Sequence, residues 1–334
     1  LELNLAARYD DYNDFGTTLN SKANLAFRPL DSLLLRASWG EGFQAPGLIN
    51  LYTPAERYSG SGVIDTWRCS QTPEDTDGDG RANVPQDDLP PGHPCKGGFG
   101  SNPYTGLEGG NRDLDPNEST QWGLGLVWSP LDSLTLGLDY YHIELDNEVT
   151  FLTDQFKLDE EFRLREAGDS GSRVGDVTRT AGGRLQTVEN RLVNVASTET
   201  EGLDLDATWM LPVGRFGDLS ARLYWTRVLN YSRSDPEDPD RTIHVDGDVY
   251  YPEDRGQLTL SWALGDFQVT TVGNYISDQE SPSDCGYRIC RLGDFTTVEI
   301  QASWATPWNG QITVGASNIL DDDPPTSAGR YENA

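Results

Sequence analysis

Apolar and polar residues alternate along one segment after another of this chain, each segment being roughly ten residues long. Leu19, Ala23, Leu25 and Phe27 stand against Asn20, Lys22, Asn24 and Arg28. Leu33, Leu35, Ala37 and Trp39 follow, and then Trp122, Leu124, Leu126 and Trp128 against Gln121, Gly123 and Gly125. A period of two means β-strands with one wet and one apolar face. The pattern predicts about eleven strands, near 1–12, 18–28, 33–44, 118–129, 134–147, 197–211, 219–230, 255–264, 267–277, 294–305 and 310–319.

The connections alternate as regularly as the residues. On one side they are tight, as in Pro29-Leu-Asp-Ser32, Pro130-Leu-Asp-Ser133, Leu264-Gly-Asp266 and Thr306-Pro-Trp-Asn-Gly310. On the other side they are mostly long, about 46–117, 148–196, 231–254, 278–293 and 320 onward. Short turns on one side and long loops on the other are what an up-and-down sheet spanning a barrier produces. Phe27, Trp128, Trp209, Trp262 and Trp304 fall beside the short turns. Trp39, Tyr140, Trp225 and Tyr275 fall toward the opposite strand ends. Two aromatic bands on the apolar face match girdles at the two interfaces of a membrane. Mid-strand Asp139, Asp204, Asp206, Arg222, Gln257, Asn274 and Glu299 belong to the other face, where they fit a polar lumen. The expected fold is all-β: a transmembrane antiparallel up-and-down β-barrel, present in part, with long extracellular loops. In the second long loop, Asp154 as N-cap, early acids, late arginines and Gly168 as stop predict one helix, with Leu158, Phe162 and Arg165 on a shared face.

Composition narrows the functional classes. The 334 residues carry a formal charge of -29, so nucleic acid is not an expected partner, because phosphate binding needs a basic surface. Mean hydropathy is -0.56, and no run approaches the length of a transmembrane helix. A spanning strand needs only about 9–11 residues, half of them polar, so a membrane location stays compatible. Much of the acid lies in the long connections, as in Asp235-Pro-Glu-Asp-Pro-Asp240 and Asp321-Asp-Asp323. It reads as a solvated, repulsive surface or as a means of recruiting a cation. Four cysteines form two local sets, Cys69 with Cys95 and Cys285 with Cys290, and predict two loop disulfides in an oxidising compartment.

Catalytic constellations are not expected. His93, His142 and His244 lack zinc-ligand spacing, and there is no GxSxG elbow. Asp204 and Asp206 share a face, as strand period requires of lumen lining, so they do not point to a glycosidase. Gly40-Glu-Gly-Phe-Gln-Ala45 matches a dinucleotide fingerprint in letters but is followed by Pro46-Gly47 and no βαβ unit. Asp75-Thr-Asp-Gly-Asp-Gly80 is the sharpest local motif. Asp75, Asp77 and Asp79 at alternate positions, with Asn83 beyond, resemble the start of a calcium loop. Gln86 stands where the bidentate glutamate belongs, and an Asp/Gly-rich turn is the plainer reading. No cofactor is required by this reading; a structural calcium is the one candidate. A Cys69–Cys95 bridge would close the loop around the motif.

Several stretches resemble the barrel of TonB-dependent outer-membrane receptors: Arg8-Tyr-Asp-Asp-Tyr-Asn-Asp-Phe-Gly16, Leu34 to Trp39, Gly42-Phe-Gln-Ala-Pro46, Asn111 to Ser119, Thr200-Glu-Gly-Leu-Asp204 and Ser317 to Pro325. The resemblance covers nearly the whole chain, taken as one barrel unit over 1–334. It implies a barrel of about 22 strands around an N-terminal plug. It also implies active uptake of a scarce, large nutrient (siderophore, cobalamin, oligosaccharide or peptide) across a bacterial outer membrane, energised by the TonB complex acting on the plug. Outer-membrane lipid, the TonB complex and the nutrient would be the partners. A passive pore or adhesin-like barrel is the alternative. The plug, the TonB box and a last strand ending in an aromatic residue are not found here, so a C-terminal barrel portion is expected. Tyr52, Tyr58, Trp67, Phe99 and Tyr104 are the candidate ligand contacts, because loop aromatics anchor sugars, peptides and siderophores alike. Intact mass after thiol alkylation without reductant is expected to show no labelled cysteine; labelling of all four would refute both bridges.

Overall fold

The computed structural model describes residues 1–13, 16–169, 175–280 and 291–325. Eleven strands follow one another as neighbours in a single antiparallel sheet: Glu2–Tyr12, Gly16–Leu30, Leu33–Gln44, Asn117–Leu131, Leu134–Thr150, Val193–Pro212, Asp218–Asp235, Asp254–Leu264, Phe267–Ile276, Phe295–Ala305 and Gln311–Ala316. Asp238–His244 folds back on the end of Asp218–Asp235 alone. Glu2–Tyr12 and Gln311–Ala316 are the two edges of the sheet in this chain. Several strands run past their expected ends, most of all Asp218–Asp235 and Val193–Pro212, which add residues on the long-connection side.

The register carries the alternation across strands. Phe27, Leu35, Leu126, Leu138, Leu205 and Trp225 pair in succession and form one continuous apolar row. One residue along, Arg36, Gly125, Asp139, Asp204, Thr226 and Arg255 form the matching polar row. There Arg36 Nε donates to Asp139 Oδ1 at 2.8 Å, and the Thr226 hydroxyl donates to Asp204 at 2.6 Å. A slip of one residue in any pairing would exchange the two faces. The aromatic bands are real contacts. Phe267 stacks on Trp304 at 6.0 Å and Trp304 meets Trp308 edge-on at the short-turn end. Trp122 lies against Tyr140 at 5.0 Å, and Trp225 stacks on Tyr275 at 5.4 Å, toward the other end. Leu124, Leu260 and Ile312 on the apolar face are all exposed.

The short turns repeat a local solution. Pro-Leu-Asp-Ser occurs twice, and both times the flanking leucines pair, Leu30 with Leu33 and Leu131 with Leu134, after a register irregularity. Leu264-Gly-Asp-Phe267 closes a two-residue hairpin with Gly265 at φ 58°, a left-handed turn that glycine enters without strain.

No described helix is long and apolar enough to cross a membrane, which says nothing about strands. Burial of large apolar side chains is concentrated in the long connections, and the sheet exposes its own. A sheet with an exposed apolar face fits hydrocarbon better than water. Leu205→Arg is therefore expected to cost about 2–4 kcal/mol of folding stability in detergent or lipid. Thr208→Arg, on the polar face, should change it little. Heat-modifiable gel mobility of the two variants checks this, and equal behaviour would contradict the assignment of faces.

Candidate functional site: a folded cap and a tyrosine pocket

The two longest connections carry regular elements of their own. Segments of 46–117 and 148–196 assemble one small folded unit with its own four-stranded sheet, in the order Glu56–Gly60, Tyr104–Gly109, Leu185–Arg191, Val177–Arg179. The strand Tyr104–Gly109 pairs in parallel with Leu185–Arg191, so the two loops are joined by backbone hydrogen bonds. Val63, Tyr104, Leu158, Val177, Leu185 and Val188 make its core. The helix Asp154–Glu166 packs there through Leu158 and Phe162, the face expected from sequence. Its N-cap is Thr153, however, whose hydroxyl accepts the Phe156 amide at 3.2 Å. Asp154 is the first helical residue, and its carboxylate is engaged elsewhere: the hydroxyls of Tyr58 and Tyr104 both donate to it.

Those two tyrosines come from neighbouring strands and lie over each other's glycines. Tyr58 is paired with Gly106, and Tyr104 with Gly60. A Cβ on Gly106 would fall 1.9 Å from the Tyr58 ring, and one on Gly60 would fall 2.2 Å from the Tyr104 ring. Burial, and then the Asp154 charge and hydrogen bond, push both phenols above their usual range.

A buried ionic knot ties the cap together. Arg179 donates to Asp65 Oδ1 at 2.6 Å and to Glu161 Oε1 and Oε2 at 2.6 and 2.7 Å, and Arg165 adds a bond of 2.8 Å to Glu161. Glu161 is 0% exposed and Asp65 is 1% exposed. Burial would push the Arg179 guanidinium down, but the bonds to Glu161 and Asp65 outweigh it and hold it above its usual range. The knot links the first loop, the helix and the last cap strand.

Cys69 and Cys95 are bridged, with Cα atoms 4.7 Å apart, and pack with Leu89. Cys285 and Cys290 lie outside the described residues. Inside the bridged loop, Asp75, Asp77 and Asp79 bring carboxylate oxygens within 4.8 Å of one another. Asp75 accepts the amides of Gly78 and Gly80, each at 2.7 Å. The Asn83 side-chain oxygen accepts the Thr76 amide at 2.6 Å, and its nitrogen donates to Asp77, holding that carboxyl below its usual range. A calcium ion at this position would compete with those donors for Asp75 and Asn83.

The five loop aromatics expected as ligand contacts do not form one wall. Tyr58 and Tyr104 are joined to Asp154 as above. Trp67 sits beneath the Arg165 guanidinium at 5.2 Å, and Tyr52 beneath that of Arg112 at 5.1 Å. Phe99 is fully exposed. Aromatic side chains do converge at a place the sequence reading passed over, the connection after Asp218–Asp235. Tyr231, Tyr250 and Tyr251 line a cavity of about 290 Å³ with Val228, Asp246 and Arg255. The one sequence signal for it is the Tyr250-Tyr251-Pro252 run in an acidic connection. A second groove, of about 440 Å³, runs along the sheet beside Arg36, Asp139 and Tyr141.

A two-faced sheet with aromatic bands, tight turns on one side and a folded cap on the other defines a membrane β-barrel of the receptor type. The family profile described as TonB dependent receptor-like, beta-barrel, matches residues 1–319, and the chain belongs to that family. Its fold is similar to that of the ferric enterobactin receptor of Pseudomonas aeruginosa (16% identity, TM-score 0.63, covering 96% of this chain and 37% of that one). It is likewise similar to a siderophore receptor of Acinetobacter baumannii (15%, 0.61, 96% and 39%) and to the ferric-catecholate import receptor of Escherichia coli K12 (14%, 0.52, 92% and 32%). The chain thus spans less than two-fifths of the length of these receptors. No curated protein matches it.

Two cap substitutions should separate packing from charge. Arg179→Met is expected to cost about 3–5 kcal/mol, because it leaves buried Asp65 uncompensated and Glu161 with Arg165 alone. Gly106→Val should displace the Tyr58 ring and loosen the cap while leaving the barrel sheet intact. Limited proteolysis is the measurement: both variants should be cut within 46–117 or 148–196 sooner than the parent, and unchanged cleavage would contradict the cap as described.

Proposed function

We propose that this chain is the barrel portion of an outer-membrane receptor that takes up a scarce, large nutrient with energy supplied through TonB. The observation that carries the reading is the pairing of family membership over residues 1–319 with a sheet whose apolar and polar faces hold register across eleven strands. That sheet gives the chain a lipid-facing wall and a polar wall. The cap and the tyrosine pocket then occupy the extracellular side, where ligand arrives. Similarity in fold to siderophore receptors favours an iron-chelate nutrient; one of those receptors has been solved with enterobactin bound. The barrel forms and breaks no bonds in this reading. Its polar rows line the path, and its loops select.

Deletion of the gene in its own bacterium is the test, with growth under iron limitation and uptake of iron-55 chelates as readouts. The expected result is loss of uptake of at least one chelate, and equal loss in the parent strain treated with a protonophore. Uptake that survives the protonophore would replace the proposal with a passive pore. Absence of the protein from the outer-membrane fraction would overturn it altogether.

A further inference from the structure

We infer that the tyrosine pocket receives a compact cationic group of the incoming ligand, an alkylammonium or a guanidinium. The inference deepens the uptake reading and rests on it. Thr200, Thr226 and Arg255, which line the pocket, stand on the polar face of the sheet, toward the long-connection end of their strands. Its volume of about 290 Å³ suits one group of a larger molecule.

The walls are held in place before any ligand arrives. Tyr231 and Tyr251 lie with ring centres 5.2 Å apart. Arg233 covers both rings, at 5.5 and 5.2 Å, and donates to the Tyr251 hydroxyl at 2.6 Å. Tyr250 is 70% exposed and has φ 80°, a left-handed backbone conformation that bulky residues rarely adopt. Its amide donates to the side-chain oxygen of buried Gln279 at 2.6 Å, which holds the strained turn. Strain of this kind persists where surrounding contacts enforce it, and it recurs at ligand clamps.

Charge selects among the ligands such walls would take. Phenol faces attract cations. Asp246 and Glu253 line the cavity against one cation, Arg255. Asp246 accepts the Tyr231 amide through Oδ1 at 3.3 Å, and Glu253 meets Arg227 at 3.1 Å. Asp248 follows close by, its carboxyl raised by burial and then by the Asp246 charge. A chain of net charge -29 also draws cations toward its loops. An anion would find Arg255 in the lining and Arg233 already engaged by the two rings and the Tyr251 hydroxyl, among these carboxylates.

The test uses two aromatic probes of opposite charge, benzyltrimethylammonium and benzoate, titrated calorimetrically into the full-length receptor purified in detergent. The ammonium is expected to bind and benzoate not. Tyr250→Ala and Asp246→Asn should each weaken ammonium binding roughly tenfold, and Tyr250→Phe should retain it. Preferred binding of benzoate, no binding of either probe, or ammonium binding that neither Tyr250→Ala nor Asp246→Asn weakens would overturn the inference. This binding is measured without transport, so its failure is distinguishable from failure of the uptake reading, which the gene deletion decides.

Discussion

Hydrocarbon offers a peptide backbone no hydrogen-bond partner, so a strand that enters a membrane must find its partners in its neighbours. The rest of this molecule depends on that requirement. Each interior strand is bonded on both sides by the strands before and after it in the chain, which needs only tight turns and long loops as connections. Once the ladder is fixed, the pleat sends every second side chain to lipid and the others to the polar wall. The apolar row from Phe27 to Trp225 and the polar row from Arg36 to Arg255 are two readings of one register. The Arg36–Asp139 and Thr226–Asp204 bonds then satisfy polar groups on the wall without crossing to the other face.

The sheet exposes its large apolar residues, and the cap buries its own. That division of labour follows from their solvents. Lipid does for the sheet what a core does for a soluble domain, so Leu124 and Leu260 need no protein cover. The cap stands in water and has to build a core, a disulfide and the Arg179 knot to stay folded. Its ion pairs sit among neutral packing, where one partner without the other would be costly; with both carboxylates and the second arginine present, the charges hold three segments in one geometry.

How legible this was in the sequence followed the same division. Strand positions, turn sites, the two aromatic bands and the bridged Cys69–Cys95 loop could all be read, because a period of two and a Pro-Leu-Asp-Ser turn are local signals. The helix at 154–166 was readable too, with its cap misplaced by one residue: Thr153 and Asp154 both qualify as N-caps, and only the pull of Tyr58 and Tyr104 on Asp154 separates them. The cap sheet was not legible. Its strands are short, and its central pair joins residues from two different loops in parallel, so no stretch of sequence carries the pattern. The tyrosine pocket was missed for a similar reason. Tyr231 belongs to a strand end and Tyr250 and Tyr251 to a loop, and Arg233 joins Tyr231 to Tyr251 only after the chain has turned back on itself.

The parallel pairing of Thr105 with Thr187 also bears on time. Between them in the chain lie Asn117–Leu131 and Leu134–Thr150, two strands of the barrel wall. The loop ends cannot meet cheaply until that hairpin has formed, because closing a long flexible loop carries an entropic cost that a folded hairpin largely removes. The Cys69–Cys95 bridge needs no such help, since its loop is local. Assembly of the cap is thereby biased toward one order: the first loop can close its bridge locally, whereas the parallel pairing forms at lower cost once the hairpin is made. A finished cap is therefore more readily reached where this part of the wall has already paired.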